Sequence, residues 1–101
     1  MINAGIIGGA GFTGGEVTRL LLHHPNVELS FVQSESQHGK NLYEVHNDLF
    51  GATELQFQKE IGKADVLFLC KGHGESKSFM EKTKIQNSTK IIDLSQDFRH
   101  K

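Results

Sequence analysis

Glycines 8, 9, 11, 14 and 15 crowd the start of the chain, and glycine at such spacing clears side chains from a place where backbone amides must approach something bulky. Two registers fit the pattern, Gly8-x-x-Gly11-x-x-Gly14 and Gly9-x-Gly11-x-x-Gly14. In either, the first glycine permits a tight strand-to-helix turn, the middle one brings N–H groups close to a diphosphate, and the last lets the helix pack against the strand. The helix N-terminus then offers partial positive charge to the anion without any lysine. A phosphate-hydrolysing loop would need Lys and Ser or Thr after the last glycine, and Gly15 and Glu16 stand there instead. The chemistry suggested is dinucleotide binding. The 2′-position of its ribose is expected about 20 residues beyond the glycines. Glu35, 21 positions after Gly14, suits a 2′-hydroxyl, whereas the flanking Ser34 and Ser36, with Lys40, suit a 2′-phosphate. NAD and NADP both remain open on the residues alone.

To hold that loop the chain needs a buried strand before it and a helix after it. Residues 2–7 form a short apolar run that predicts a first strand, buried on both faces. Thr13 stands three residues before Glu16, a capping-box spacing that predicts a helix starting near Gly14, with Val17, Leu20 and Leu21 on its apolar stripe. Pro25 disfavours helical angles at His24, so the helix is expected to stop near His23. Val27 to Gln33 predicts a second strand, 34–41 a loop, Leu55 and Phe57 a short third strand, and 65–70 a fourth. A helix over 74–82 and a last strand over 90–94 complete the pattern. Strands alternating with helices predict a doubly wound, parallel, Rossmann-like α/β sheet.

Composition narrows the function classes. With 101 residues, 29 of them Ile, Leu, Val or Phe, and a formal net charge of -1, the chain is sized for one folded domain rather than a disordered segment. Its 11 Lys and Arg residues are scattered without interleaved aromatics, so no nucleic-acid surface is expected. No apolar run approaches the roughly 18 residues of a membrane span, and no export signal opens the chain, so membrane association is not expected. A single cysteine, Cys70, cannot form an internal disulfide and fits a reducing, cytoplasmic setting. Cys70 ends an apolar strand, where packing suits it better than reactivity, which needs an electropositive, partly open setting. Six histidines invite a metal reading, but His23 and His24 are adjacent on one helix and diverge, and the others are dispersed, so no metal site is expected. Near a helix C-terminus, that pair suits the dipole instead.

Four segments together resemble the N-acetyl-gamma-glutamyl-phosphate reductase family. They are Gly5 to Gly14, Leu20 to Pro25, 65–69 with His73-Gly74-Glu75-Ser76, and Ile92-Asp93-Leu94-Ser95-Gln96-Asp97-Phe98-Arg99. The glycine loop is shared with many dehydrogenases, but the HGES and DLSQDFR segments at this spacing resemble that family specifically. The resemblance implies NADPH-dependent reduction of N-acetyl-glutamyl 5-phosphate to the 5-semialdehyde in arginine biosynthesis. A cysteine thiolate attacks the acyl phosphate, phosphate leaves, and hydride from the nicotinamide reduces the thioester. It also implies that the nucleophilic cysteine lies beyond this chain. Residues 1–101 would then be a dinucleotide-binding domain fragment, its sheet incomplete on the C-terminal side, with no catalytic residue of its own, inactive alone and exposing apolar surface. Gly8, Gly11, Phe12, Thr13 and Gly14 would cradle the diphosphate, and Ser34 and Ser36 would flank the 2′-position. His73 and Gly74 would approach the nicotinamide, while Arg99 and Ser95 would bind the small acyl-phosphate substrate. An arginine fork suits a phosphate, though Arg99 also has Asp93 and Asp97 as candidate partners. Glu35 stands where family members often carry arginine and would repel a 2′-phosphate, so NAD is not excluded. The intact enzyme is expected to be a homo-oligomer.

Three alternatives carry distinguishing features. Aspartate-semialdehyde dehydrogenases share the fold and mechanism but usually read DNSxxFR where this chain has Asp93-Leu94-Ser95-Gln96-Asp97-Phe98-Arg99. Sugar-nucleotide epimerases use a similar loop with a later Tyr-x-x-x-Lys, and Asn47, not lysine, follows Tyr43 at that spacing. A non-catalytic nucleotide-binding module is the third reading, since a fold specifies no reaction.

Overall fold

A computed structural model of the chain describes residues 2–70 and 89–94. Five strands, β1 (Ile2–Ile7), β2 (Val27–Gln33), β3 (Phe57–Gln58), β4 (Val66–Leu69) and β5 (Lys90–Asp93), form one parallel sheet in the order β3-β2-β1-β4-β5. The architecture is the Rossmann-like one the sequence predicts. Strand order reverses direction at β1, so the loop after β1 opens at the switch point where doubly wound sheets bind ligands. The expected helix over 74–82, and the site assignments at His73, Gly74, Ser95 and Arg99, lie outside the described residues.

Helix α1 (Phe12–Leu22) packs on one face of the sheet. Ala4, Ile6, Val17, Leu21, Leu29, Val32 and Phe57 form the core there, and Ile7, Phe31, Leu67 and Leu69 form a second core on the other face. The pairing of β1 with β2 skips Ser30, so Leu29 and Phe31 point to opposite faces rather than sharing one. Gly5 accommodates that shift, because a Cβ there would sit 2.3 Å from the Phe31 ring.

Three expectations about these elements need correction. The helix starts at Phe12, with Gly11 as its N-cap in extended conformation, so Thr13 lies inside the first turn and no capping box forms with Glu16. The Glu16 carboxylate instead accepts from Arg19 Nη1 at 2.8 Å. Leu20 is 71% exposed, because the face against the sheet runs Gly14-Val17-Thr18-Leu21, a stripe centred on glycine that brings the helix close and turns Leu20 outward. β1 is buried on both faces only from Ala4 onward, and Ile2 and Asn3 protrude.

Between β2 and β3 the chain folds a segment the sequence reading did not contain. A one-turn helix α2 (Leu42–Val45) and a 3-10 turn (Asn47–Leu49) bury Leu42 and Leu49 almost completely against the α1-side core. The capping-box spacing belongs here: Asn41 precedes the helix, and the Glu44 carboxylate accepts from the Asn41 amide at 2.8 Å. At the starting ends of the strands, far from the β1–α1 loop, an apolar groove of about 490 Å³ runs beside Ile2, Val27, Val66, Phe68 and Ile92. Ile2, Ile91 and Ile92 are exposed.

Candidate functional site

The β1–α1 loop is built in two halves. Gly8 has φ +77°, a left-handed conformation that favours glycine, and it makes the sharp exit from the strand. Its amide donates to both the backbone carbonyl (3.0 Å) and the side-chain Oε1 (3.1 Å) of Gln33 at the end of β2. The Gly9 amide donates to the same Gln33 carbonyl at 2.9 Å. Gln33 is 1% exposed, and its Nε2 donates onward to the Lys59 carbonyl at 3.2 Å. The first two glycine amides are therefore engaged within the protein. Gln33 is a site residue the sequence reading missed, although a long polar side chain closing an apolar strand was the available signal.

The second half faces outward. Among the described residues, the amides of Ala10, Gly11, Phe12, Thr13 and Gly14 enter no hydrogen bond. The first turn of α1 holds no acidic residue, and no side chain caps it. Its positive end is thus unneutralised, whereas α2 has Glu44 in that position. A Cβ at Gly11 would meet nothing within 4 Å, so the space above this amide row is open. At Gly14 a Cβ would lie 2.5 Å from Gly9 Cα, so the helix starts in backbone contact with the loop. Phe12 stands 84% exposed beside the row. These features suit an anion with several oxygens, such as a diphosphate.

A second missed residue supports the loop from beneath. His46, at the C-cap of α2, is 8% exposed, and its Nε2–H donates to the Gly9 carbonyl at 2.8 Å. Its ring meets Phe57 edge-on at 6.1 Å between centroids and lies against Gly15, where a Cβ would come within 2.7 Å of its Cε1. The same segment is tied to α1 by Arg19, which forks onto both carboxylate oxygens of Asp48, with Nη2 at 2.9 Å from Oδ1. That pairing holds the Asp48 carboxyl below its usual range and raises the Arg19 guanidinium. Nothing in local spacing announces His46, because its partner lies 37 residues earlier.

The other predicted site residues fall as follows. Ser34 is buried beyond the end of β2, where its hydroxyl accepts from the Gln37 amide at 3.1 Å and shapes the turn. Glu35 and Ser36 are exposed on that turn. Cys70 follows β4, half-buried and packed against the α1-side core. His23 Nδ1–H donates to the Arg19 carbonyl at 2.9 Å, a contact near the end of α1 of the kind expected for it. No cluster of His, Cys, Asp and Glu among the described residues is arranged to hold a metal, and no described helix is long and apolar enough to cross a membrane.

The chain is similar to known proteins in sequence and in fold. N-acetyl-gamma-glutamyl-phosphate reductases from Christiangramia forsetii (61% identical), Bacteroides thetaiotaomicron (50%) and Flavobacterium johnsoniae (50%) align over 98–100% of the chain. The chain spans about a third of the length of these relatives, 31–32%. A solved aspartate semialdehyde dehydrogenase with NADP from Candida albicans superimposes with a TM-score of 0.74 over all of the chain and 31% of its own, at 18% identity, a likeness of fold. The family model described as "Semialdehyde dehydrogenase, NAD binding domain" matches residues 3–101, and the chain belongs to that family.

Proposed function

We propose that this chain is the cofactor-holding part of an NADP-dependent N-acetyl-gamma-glutamyl-phosphate reductase. The observation that carries the reading is the row of unengaged amides from Ala10 to Gly14 above an open Gly11, at the uncapped positive end of α1. The residues present fit a dinucleotide: the amide row receives its diphosphate, and the turn at 34–36 follows β2 toward the ribose. The bound nicotinamide supplies hydride. The chain's own work is to hold the diphosphate with backbone donors and to fix where the ribose lies relative to it.

Substrate chemistry belongs, in this reading, to residues outside those described. His73 and Gly74 are assigned to the nicotinamide end of the cofactor, and Ser95 and Arg99 to the phosphate of N-acetyl-glutamyl 5-phosphate, since an arginine fork suits a departing phosphate. The nucleophilic cysteine of this reading is a residue other than Cys70, which packs against the α1-side core. The identity of up to 61% with proteins named as this reductase supports the assignment. The cytoplasm, where thiols stay reduced, and a homo-oligomeric state complete the proposal.

Calorimetric titration with NADP and with NAD, on the protein at the full length its gene encodes, tests the reading. Micromolar to millimolar binding with NADP preferred is the expected result. Equal or tighter binding of NAD assigns Glu35 to a 2′-hydroxyl and overturns the NADP preference, and binding of neither overturns the cofactor reading.

A further inference from the structure

His46 belongs to no part of the glycine pattern, yet it touches the loop at its pivot. Peptide bonds in this part of the chain are trans, so the Gly9 C=O and the Ala10 N–H, which share one peptide plane, point in opposite directions. The His46 Nε2–H holds the Gly9 carbonyl at 2.8 Å in a buried contact. Fixing that carbonyl fixes the Ala10 N–H on the other side of the plane, the first donor of the open row. Gln33 sets the two peptides before it through the Gly8 and Gly9 amides. His46 therefore acts where the inward-bonded half of the loop becomes the outward-facing half.

The ring is itself held in place. Phe57 packs against it edge-on, Gly15 leaves room for it under α1, and the Arg19–Asp48 pair ties the following turn to the helix. We propose that His46 is a positioning residue for dinucleotide binding, directing the Ala10 amide at the diphosphate by its grip on the Gly9 carbonyl. This rests on the cofactor reading above. A leucine at this position would keep bulk but leave a buried carbonyl without a donor, free to rotate and to turn the Ala10 N–H away from the anion.

The test compares the full-length protein with its H46L and H46Q variants, the glutamine retaining an N–H donor. Folded H46L is expected to bind NADP about tenfold more weakly, the size associated with one buried unmade hydrogen bond, with KM for NADP rising and KM for the acyl phosphate unmoved. H46Q is expected to recover most of the loss. H46L affinity within about twofold of wild type, or H46Q as weak as H46L, overturns the proposal. If H46L does not fold, the wild-type His46 Nε2–H proton resonance decides: it is expected to shift on NADP addition, and a resonance indifferent to saturating NADP overturns the proposal. Wild-type protein that binds neither NADP nor NAD removes the cofactor reading and this inference together.

Discussion

The inner half of the β1–α1 loop, Gly8 and Gly9, directs its amides to Gln33, while the outer half, Ala10 to Gly14, leaves its amides open. Both halves are rich in glycine for different physical reasons. In the inner half the residue type answers the fold: a left-handed turn at Gly8, and at Gly9 a contact with Val32 too close for any Cβ. In the outer half a Cβ at Gly11 would meet nothing within 4 Å, so packing does not demand a glycine there, and the proposed ligand does. One motif thus contains a structural splint and a proposed binding surface, and a count of glycines does not divide them.

Substitutions can break or sharpen that division. The largest effect is expected from G14A, since its Cβ would press on Gly9 backbone at 2.5 Å, where nothing flexible can give way. A loss of about 3 kcal/mol in urea unfolding is expected, with cofactor binding lost alongside, and a stable variant would show that the two halves are not in rigid contact. Next is Q33L, which removes the Oε1 acceptor of Gly8 and leaves the Lys59 carbonyl without its donor. About 1–2 kcal/mol should go, by the same measurement. G11A is expected to leave stability within about 0.5 kcal/mol of wild type while weakening NADP in calorimetry, because its methyl faces only the ligand's approach. Unchanged affinity in G11A would erase the distinction between the halves.

The smallest effect concerns the buttress rather than the loop. Arg19 holds the folded Asp48 carboxyl below its usual value of 3.8. The pair's contribution to stability is accordingly present above the unfolded value and is lost as pH falls through the lower, folded one. D48N is expected to flatten the acid limb of a stability profile below about pH 4, with little change at neutral pH because the pair is exposed. An acid limb of unchanged steepness would remove Asp48 from that account.

Much of the fold was legible because it follows from local patterning. The apolar runs that end at Ile7 and Gln33 coincide with the observed ends of β1 and β2, and Pro25 marks the end of α1 near His23. The segment from Leu42 to Leu49 was not legible, since a one-turn helix and a 3-10 turn are too short to carry a 3.6-residue repeat. Its one signal, Asn41 followed by Glu44 at capping-box spacing, was matched by a stronger-looking Thr13 and Glu16 pair that the extended Gly11 made unnecessary. Gln33 and His46 lay beyond local reading for a different reason: each acts on the glycine loop across 25 and 37 residues of chain. Periodicity reports which face of an element is buried, not which distant backbone group a side chain will meet.

Gln33 has one more consequence. It anchors the turn proposed to receive the diphosphate with its main chain and amide, and the very next residues, 34–36, begin the turn proposed to meet the ribose. In the proposed complex a single position would work as a ruler between the two ends of the adenosine half of the ligand. Altering which ribose is preferred becomes a matter of editing the surface just past the ruler's end, with the spacing itself left untouched.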